Sequence, residues 1–225
     1  MKTVPSSSRA LPILFAAAGT LMLALLLAHP HESARTFADL IEFEIDHRLI
    51  NQVVHGGTIA VLVLLLAAHS ALGRLVDPGS VCVSVAVTAF AAGCGLLIAS
   101  LVLDGFTVPA LALQSRAARD VAVQHAIQGQ ISFCGTLIGL LMPLGIVGLS
   151  ASAMAWVRPL VRLGGSARRV GWIAGAAGVV TGVAVIAAIS GASPHLLLAG
   201  FFLVALWQFA LALVASRLAP VVLPV

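Results

Sequence analysis

Seven histidines stand out in a chain that carries only 12 Lys and Arg and 8 Asp and Glu. Imidazole is a ligand for copper, zinc, nickel and iron, and several imidazoles with a carboxylate complete a tetrahedral or tetragonal metal site. At about 100° per residue, Glu44, His47, Asn51, His55 and Thr58 fall within one arc of roughly 80° on a helix. A later helix offers Asp120, Gln124, Gln128 and Ser132 at steps of four, with His125 beside them, and His195 heads the last apolar stretch. The candidate metal ligands are therefore His47, His55, His125, His195, Glu44 and Asp120. His55 and His125 are also the candidate ligands of one haem. His55 is the deepest of its group, and Gly56-Gly57 after it permits a backbone or ligand to come close. The competing reading is that these polar helix ends satisfy one another or dock a partner. A hydrolase using the same ligands with a bound water is a third reading. No HExxH or HxxxH signature decides among them.

Other histidines read differently. His29 and His31 flank Pro30 and read as surface loop residues. His69 lies 14 positions after His55, a spacing with which membrane cytochromes hold two stacked haems. That arrangement needs a second inner histidine on another span, and none exists. His69 therefore reads as a histidine near the inner interface. The tip acids Asp39, Glu42 and Asp46 lie opposite the polar arc and read as a solvated face.

The elements that must position these residues are spans. A hydropathy of +1.12, 60% apolar residues and 9% charged ones exclude a soluble domain, which needs roughly 25% charge. So few basic residues also exclude a nucleic-acid partner; the partner is the lipid bilayer. Crossing ~30 Å of hydrocarbon takes about 20 helical residues. Six stretches qualify: Leu11–Ala28, Val53–Leu72, Val81–Leu103, Ile131–Val157, Val170–Ser190 and Leu196–Ser216. The expected fold is all-α, one polytopic membrane domain over 1–225 with six spans in three hairpins whose tips face outward. The first run is longer than the usual signal core and reads as an uncleaved span. The tip segment Arg35–Gln52 alternates charged with large apolar residues and reads as ordered helix, with one helix running from Leu40 to Leu72, and the fourth helix too is expected to begin well outside the membrane.

A faint repeat places Asn51-Gln52-Val53-Val54-His55-Gly56 over Gln124-His125-Ala126-Ile127-Gln128-Gly129, a shift of 73 residues that also brings the first span over the third. Cys82, Cys94 and Cys134 lie within spans and read as small buried residues, without disulfides. Gly171-x3-Gly175, Gly178-x3-Gly182 and Gly135-x3-Gly139 read as tight helix contacts. There is no nucleotide loop, dinucleotide fingerprint or serine-nucleophile elbow.

His29-Pro30 after the first span and Gly105-Phe106-Thr107-Val108-Pro109-Ala110-Leu111 after the third occur in a layout that resembles small bacterial six-span inner-membrane proteins. That group is uncharacterised, so the resemblance implies the fold and an inner-membrane location and carries over no functional residue. The His29-Pro30-His31 string resembles one in nickel and copper permeases, whose longer metal-binding helix motif is absent here. A homo-oligomer is left open.

Charge sets the orientation. With the N-terminus inside, the inner segments hold Lys2, Arg9, Arg74, Arg158, Arg162, Arg168, Arg169 and Arg217 against Asp77 alone. The outer segments hold Arg35, Arg48, Arg116 and Arg119 against Glu32, Asp39, Glu42, Glu44, Asp46, Asp104 and Asp120. By the positive-inside rule both termini are cytoplasmic, and Trp156 and Trp172 flank the basic loop where an aromatic belt belongs. Reporter fusions after Val225 and inside the Arg158–Arg169 loop are expected to report cytoplasm, and one near Gln114 the outer side. A periplasmic Arg-rich loop would reverse the orientation.

Overall fold

The computed structural model describes residues 7–30, 36–189 and 195–218. These residues are helical apart from short turns: α1 (Ser7–Ala28), α2 (Phe37–Asp46), α3 (Arg48–Val76), α4 (Val81–Val102), a π-helical turn (Leu103–Thr107), α5 (Val108–Ala117), α6 (Val121–Leu163), α7 (Gly165–Ile189) and α8 (His195–Leu218). Among them six helical segments are long and apolar enough to cross a membrane, so the all-α six-span fold holds.

The six spans close into a ring. Each of α1, α3, α4, α6, α7 and α8 packs on the next in that order, and α8 returns to α1. The apolar faces meet along the ring axis, where Phe15, Leu62, Leu65, Phe90, Leu97, Ile146, Trp156 and Leu211 are buried. α2 and α5 pack on each other beyond one end of the ring, and Ile41, Val108, Ala112, Ile127, Ile131 and Cys134 form a second small core there.

The hairpin tips differ from the expected layout. The helix expected to end at Leu103 passes through the π turn and continues to Ala117. As expected of the fourth helix, α6 begins well ahead of its apolar stretch, at Val121, and its 43 residues make about 65 Å of helix at ~1.5 Å each. The first tip is helical from Phe37, but it does not run unbroken into the span. The chain bends at His47 (φ −96°, ψ 6°), which ends α2 and starts α3. α2 itself is anchored by a capping box, with Thr36 Oγ1 accepting from the Asp39 amide and the Asp39 carboxylate accepting from the Thr36 amide.

The repeat reappears as architecture. α1 and α4 start 74 residues apart (7 and 81), α2 and α5 71 (37 and 108), and α3 and α6 73 (48 and 121). The unit α1–α2–α3 is thus repeated as α4–α5–α6, and the hairpin α7–α8 fills the ring between α6 and α1.

Two side chains expected at an interface lie instead on the axis. His69 and Trp156 are both fully buried, and Trp156 Nε1 donates to His69 Nδ1 at 3.3 Å. Because the indole can only donate, Nδ1 is the accepting nitrogen, and Nε2–H donates to Gln208 Oε1 at 3.3 Å. The imidazole is stacked on Phe90, with ring centroids 3.7 Å apart, and Phe15 meets it edge-on at 5.4 Å. The bundle interior thus supplies a partner for each ring nitrogen. Trp172, by contrast, is exposed, as a belt residue would be.

The glycine contacts also fall partly elsewhere. On α7, Gly171 and Gly178 do pack on α6, where an added Cβ would meet Val157 O at 3.1 Å and Ser150 O at 2.9 Å. Gly135 and Gly139 face open space, as does Gly182. The closest backbone approach is the α4–α6 crossing, where a Cβ on Gly93 would lie 2.8 Å from Gly145 O and one on Gly148 would lie 2.8 Å from the Gly93 Cα. The cysteines are free; Cys94 and Cys134 are buried and Cys82 half-buried. Gly93→Val is therefore expected to cost at least ~3 kcal/mol, since backbone cannot yield as a side chain tip does. Gly135→Ala and Gly139→Ala are expected to be neutral or stabilising by up to ~1 kcal/mol, from helix propensity alone. Thermal unfolding in detergent reads both; a neutral Gly93→Val would show that α4 and α6 do not cross there.

Candidate functional site

α3 presents the polar arc at the end of the ring nearest α2 and α5. Asn51 and His55 are buried on it, and across the bend at His47 the α2 residue Glu44 is buried as well. Asn51 Nδ2 donates to Glu44 Oε2 at 3.2 Å. His55 Nδ1 donates to the Asn51 carbonyl at 2.7 Å, the carbonyl four residues back along the same helix. That bond fixes the imidazole against its own helix and directs Nε2 across the ring.

The π turn provides what Nε2 faces. A π turn carries one more residue per hydrogen-bonded loop than an α turn, so it re-aims the side chains within it. Here Val108 N donates to Leu103 O, five residues back, and Thr107 Oγ1 donates to Val102 O at 3.3 Å. The turn places Asp104 Oδ2 3.0 Å from His55 Nε2, and Gly105 against the Cβ, Cγ and Nδ1 of the His55 side chain. His29, just past the end of α1, completes the group: its ring centroid lies 5.1 Å from that of His55, edge to face. One ligand atom each from His29, His55 and Asp104 lie within 4.8 Å of one another, so this cluster could hold a metal ion.

Hydrogen-bond inventory sharpens the point. His29 Nδ1 donates to the Pro30 carbonyl at 2.9 Å, which leaves the Nε2 of the neutral ring with the lone pair. His55 is in the same position, with Nδ1–H committed to Asn51 O. A neutral His55 would therefore point a lone pair at a carboxylate oxygen, two acceptors 3.0 Å apart. Such a pair needs a positive charge: either a shared proton or a bound cation.

Glu44 sits within reach of this charge. Its carboxyl is pushed up to about 7, first by burial and then by the negative charge of Asp104; the Asn51 hydrogen bond and the fields of His55 and His47 oppose the rise.

The sequence candidates divide. Glu44 and His55 belong to one network. His47 is half-buried at the bend, donates through Nδ1 to Phe43 O at 3.0 Å and stacks on the Phe43 ring. Asp120 is exposed and caps α6, accepting from the Ala122 amide at 2.8 Å. His125 is exposed one turn further on, because the buried side of that turn is Ile127 and Ile131. His195 opens α8, and its side chain lies outside the described residues, as does all of His31. Thr58 donates to Val54 O at 2.8 Å within its own helix. Asp39, Glu42 and Asp46 are exposed, as a solvated face should be.

Two members of the cluster were not among the candidate ligands that sequence reasoning named. His29 is half-buried against His55 and is no surface loop residue. Asp104 was one of the outer acids. Its signal was its place at the edge of a long apolar run, followed by a glycine. No family model matches the chain, and comparisons with curated proteins and with solved structures give no match either.

Glu44 yields a pH prediction. A carboxyl raised from 4.5 to about 7 stays protonated in the folded chain while the unfolded chain ionises, so stability falls as pH rises between those values and is level above them. At ~1.4 kcal/mol per pKa unit the loss is at most about 3 kcal/mol. In metal-free protein the melting temperature of the wild type is expected to fall from pH 5 to pH 8, and that of Glu44→Gln to fall less. Parallel pH profiles for the two proteins would refute the assignment.

Proposed function

We propose that this chain is an integral protein of the bacterial inner membrane whose α2–α5 end faces the periplasm and binds a divalent first-row transition metal through His29, His55 and Asp104. The observation that carries the reading is the convergence of one ligand atom from each of these three residues within 4.8 Å. Ligands on one tetrahedral zinc at ~2.0–2.2 Å stand roughly 3.3 Å apart, close to the 3.0 Å between His55 Nε2 and Asp104 Oδ2.

Two imidazoles and one carboxylate suit iron, cobalt, nickel, copper or zinc. Three protein ligands leave coordination positions open, as sites that exchange or activate a ligand do, whereas structural sites are closed. Between this level and His69, α3 contributes buried Leu62 and Leu65 and α4 buried Leu97 and Leu101. The layer supports a site entered from one end, which fits metal capture or handling better than an open pore. Haem has less support, since Asp104 and Gly105 occupy the space next to the His55 ring.

Titration of the detergent-purified protein with Co²⁺ or Zn²⁺ tests the reading. One metal is expected per chain, with affinity lowered about 100-fold or more by His55→Ala, His29→Ala or Asp104→Asn. His125→Ala and Asp120→Asn are expected to bind as the wild type does. Absence of saturable binding would leave the proton-shared ion pair as the purpose of the cluster, and loss in His125→Ala would move the site to the exposed face of α6.

A further inference from the structure

The metal reading requires His55 Nε2 and Asp104 Oδ2 to face each other, and the structure places a glycine where that facing is decided. We infer that the π turn Leu103–Thr107 is the positioning element of the site and that Gly105 is its critical residue, admitting the His55 imidazole to a place that any side chain would occupy.

A Cβ built on Gly105 would fall onto the Cβ and ring of His55 and lie 2.9 Å from its Nδ1. Relief by rotating the imidazole is blocked, because its Nδ1–H is held by Asn51 O at 2.7 Å and its Nε2 by Asp104. Relief by moving α3 is blocked too. Asn51, Val54 and His55 itself are buried on that helix, so a shift would disturb its packing on both sides of the contact. The remaining route is to push the π turn away from α3, which carries Asp104 with it, since Asp104 is the adjacent residue. A methyl group at position 105 therefore acts on the ligand set, although residue 105 supplies no ligand atom. Gly105 is in this sense a positioning residue.

The inference rests on the metal reading, and the test separates the two. Co²⁺ binding is followed by its visible absorption in wild type, Gly105→Ala and Gly57→Ala, the last being a control in the same layer whose contact is the flexible end of a leucine. Gly105→Ala is expected to bind Co²⁺ about 10–100-fold more weakly, with an altered spectrum at saturation, the size of effect that loss of outer-shell support has on metal sites. Gly57→Ala is expected to bind within about threefold of wild type. A wild type that binds no Co²⁺ overturns the metal reading and this inference with it. A wild type that binds while Gly105→Ala matches it in affinity and spectrum overturns the inference alone.

Thermal unfolding without metal guards against a variant that merely folds badly. The loss of melting temperature caused by Gly105→Ala is expected to shrink by at least half in a His55→Gly background, where the opposing Cβ and ring are gone. An undiminished loss would show that the methyl group strains something other than His55.

Discussion

Inside a bilayer a polar group has no water to fall back on, and this constraint shapes every feature of the ring. α3 carries two buried histidines and answers the constraint twice in different ways. At His69 both nitrogens have uncharged partners, the Trp156 indole and the Gln208 amide, so the ring is complete as a neutral group. At His55 one nitrogen has a backbone carbonyl and the other a carboxylate, so the ring is complete only with an added positive charge. The first arrangement draws α3, α6 and α8 together. The second leaves a place for a positive charge at the end of the ring nearest α2.

The surrounding structure makes the second arrangement tolerable. Asp104 is partly open at 31% side-chain exposure, whereas the His55 side chain is at 3%. The carboxylate is thus reachable while the imidazole is not. Glu44 adds a further buried carboxyl, raised to about 7 first by its burial and then by the negative charge of Asp104. A cation bound between His55 and Asp104 would relieve that repulsion. The cluster and Glu44 are therefore coupled through charge as well as through the Asn51 hydrogen bond.

Much of this was legible in the sequence, and the failures have physical causes. Hydropathy gave the six spans, because length and apolarity alone decide them. The arc of Glu44, Asn51 and His55 survived the bend at His47, since a single non-helical residue leaves the buried side of the chain nearly in register. What periodicity could not reveal was the π turn. An extra residue in the turn re-aims the side chains within it, so nothing in the spacing paired Asp104, one of the outer acids, with His55. His69 and Trp156 were misplaced for another reason. Position along a span gives depth but not facing, and only the ring shows that these side chains meet on its axis. The glycines repeat that lesson: Gly93, Gly145 and Gly148 do not share one helix, so no motif within a helix announces their crossing.

The repeated three-helix unit has a consequence for stoichiometry. Were the ring built from the two units alone, α6 would close on α1 as α3 does on α4, and a twofold axis would generate a pair of equivalent sites. The α7–α8 hairpin stands in the gap and keeps those partners apart. Gln128, the counterpart of His55 at a shift of 73, is left on the exposed face of α6. The fold thus breaks its own symmetry mechanically: the two units share a shape, but only the first has a histidine at this position of its long helix, so the cluster has no equivalent copy on α6.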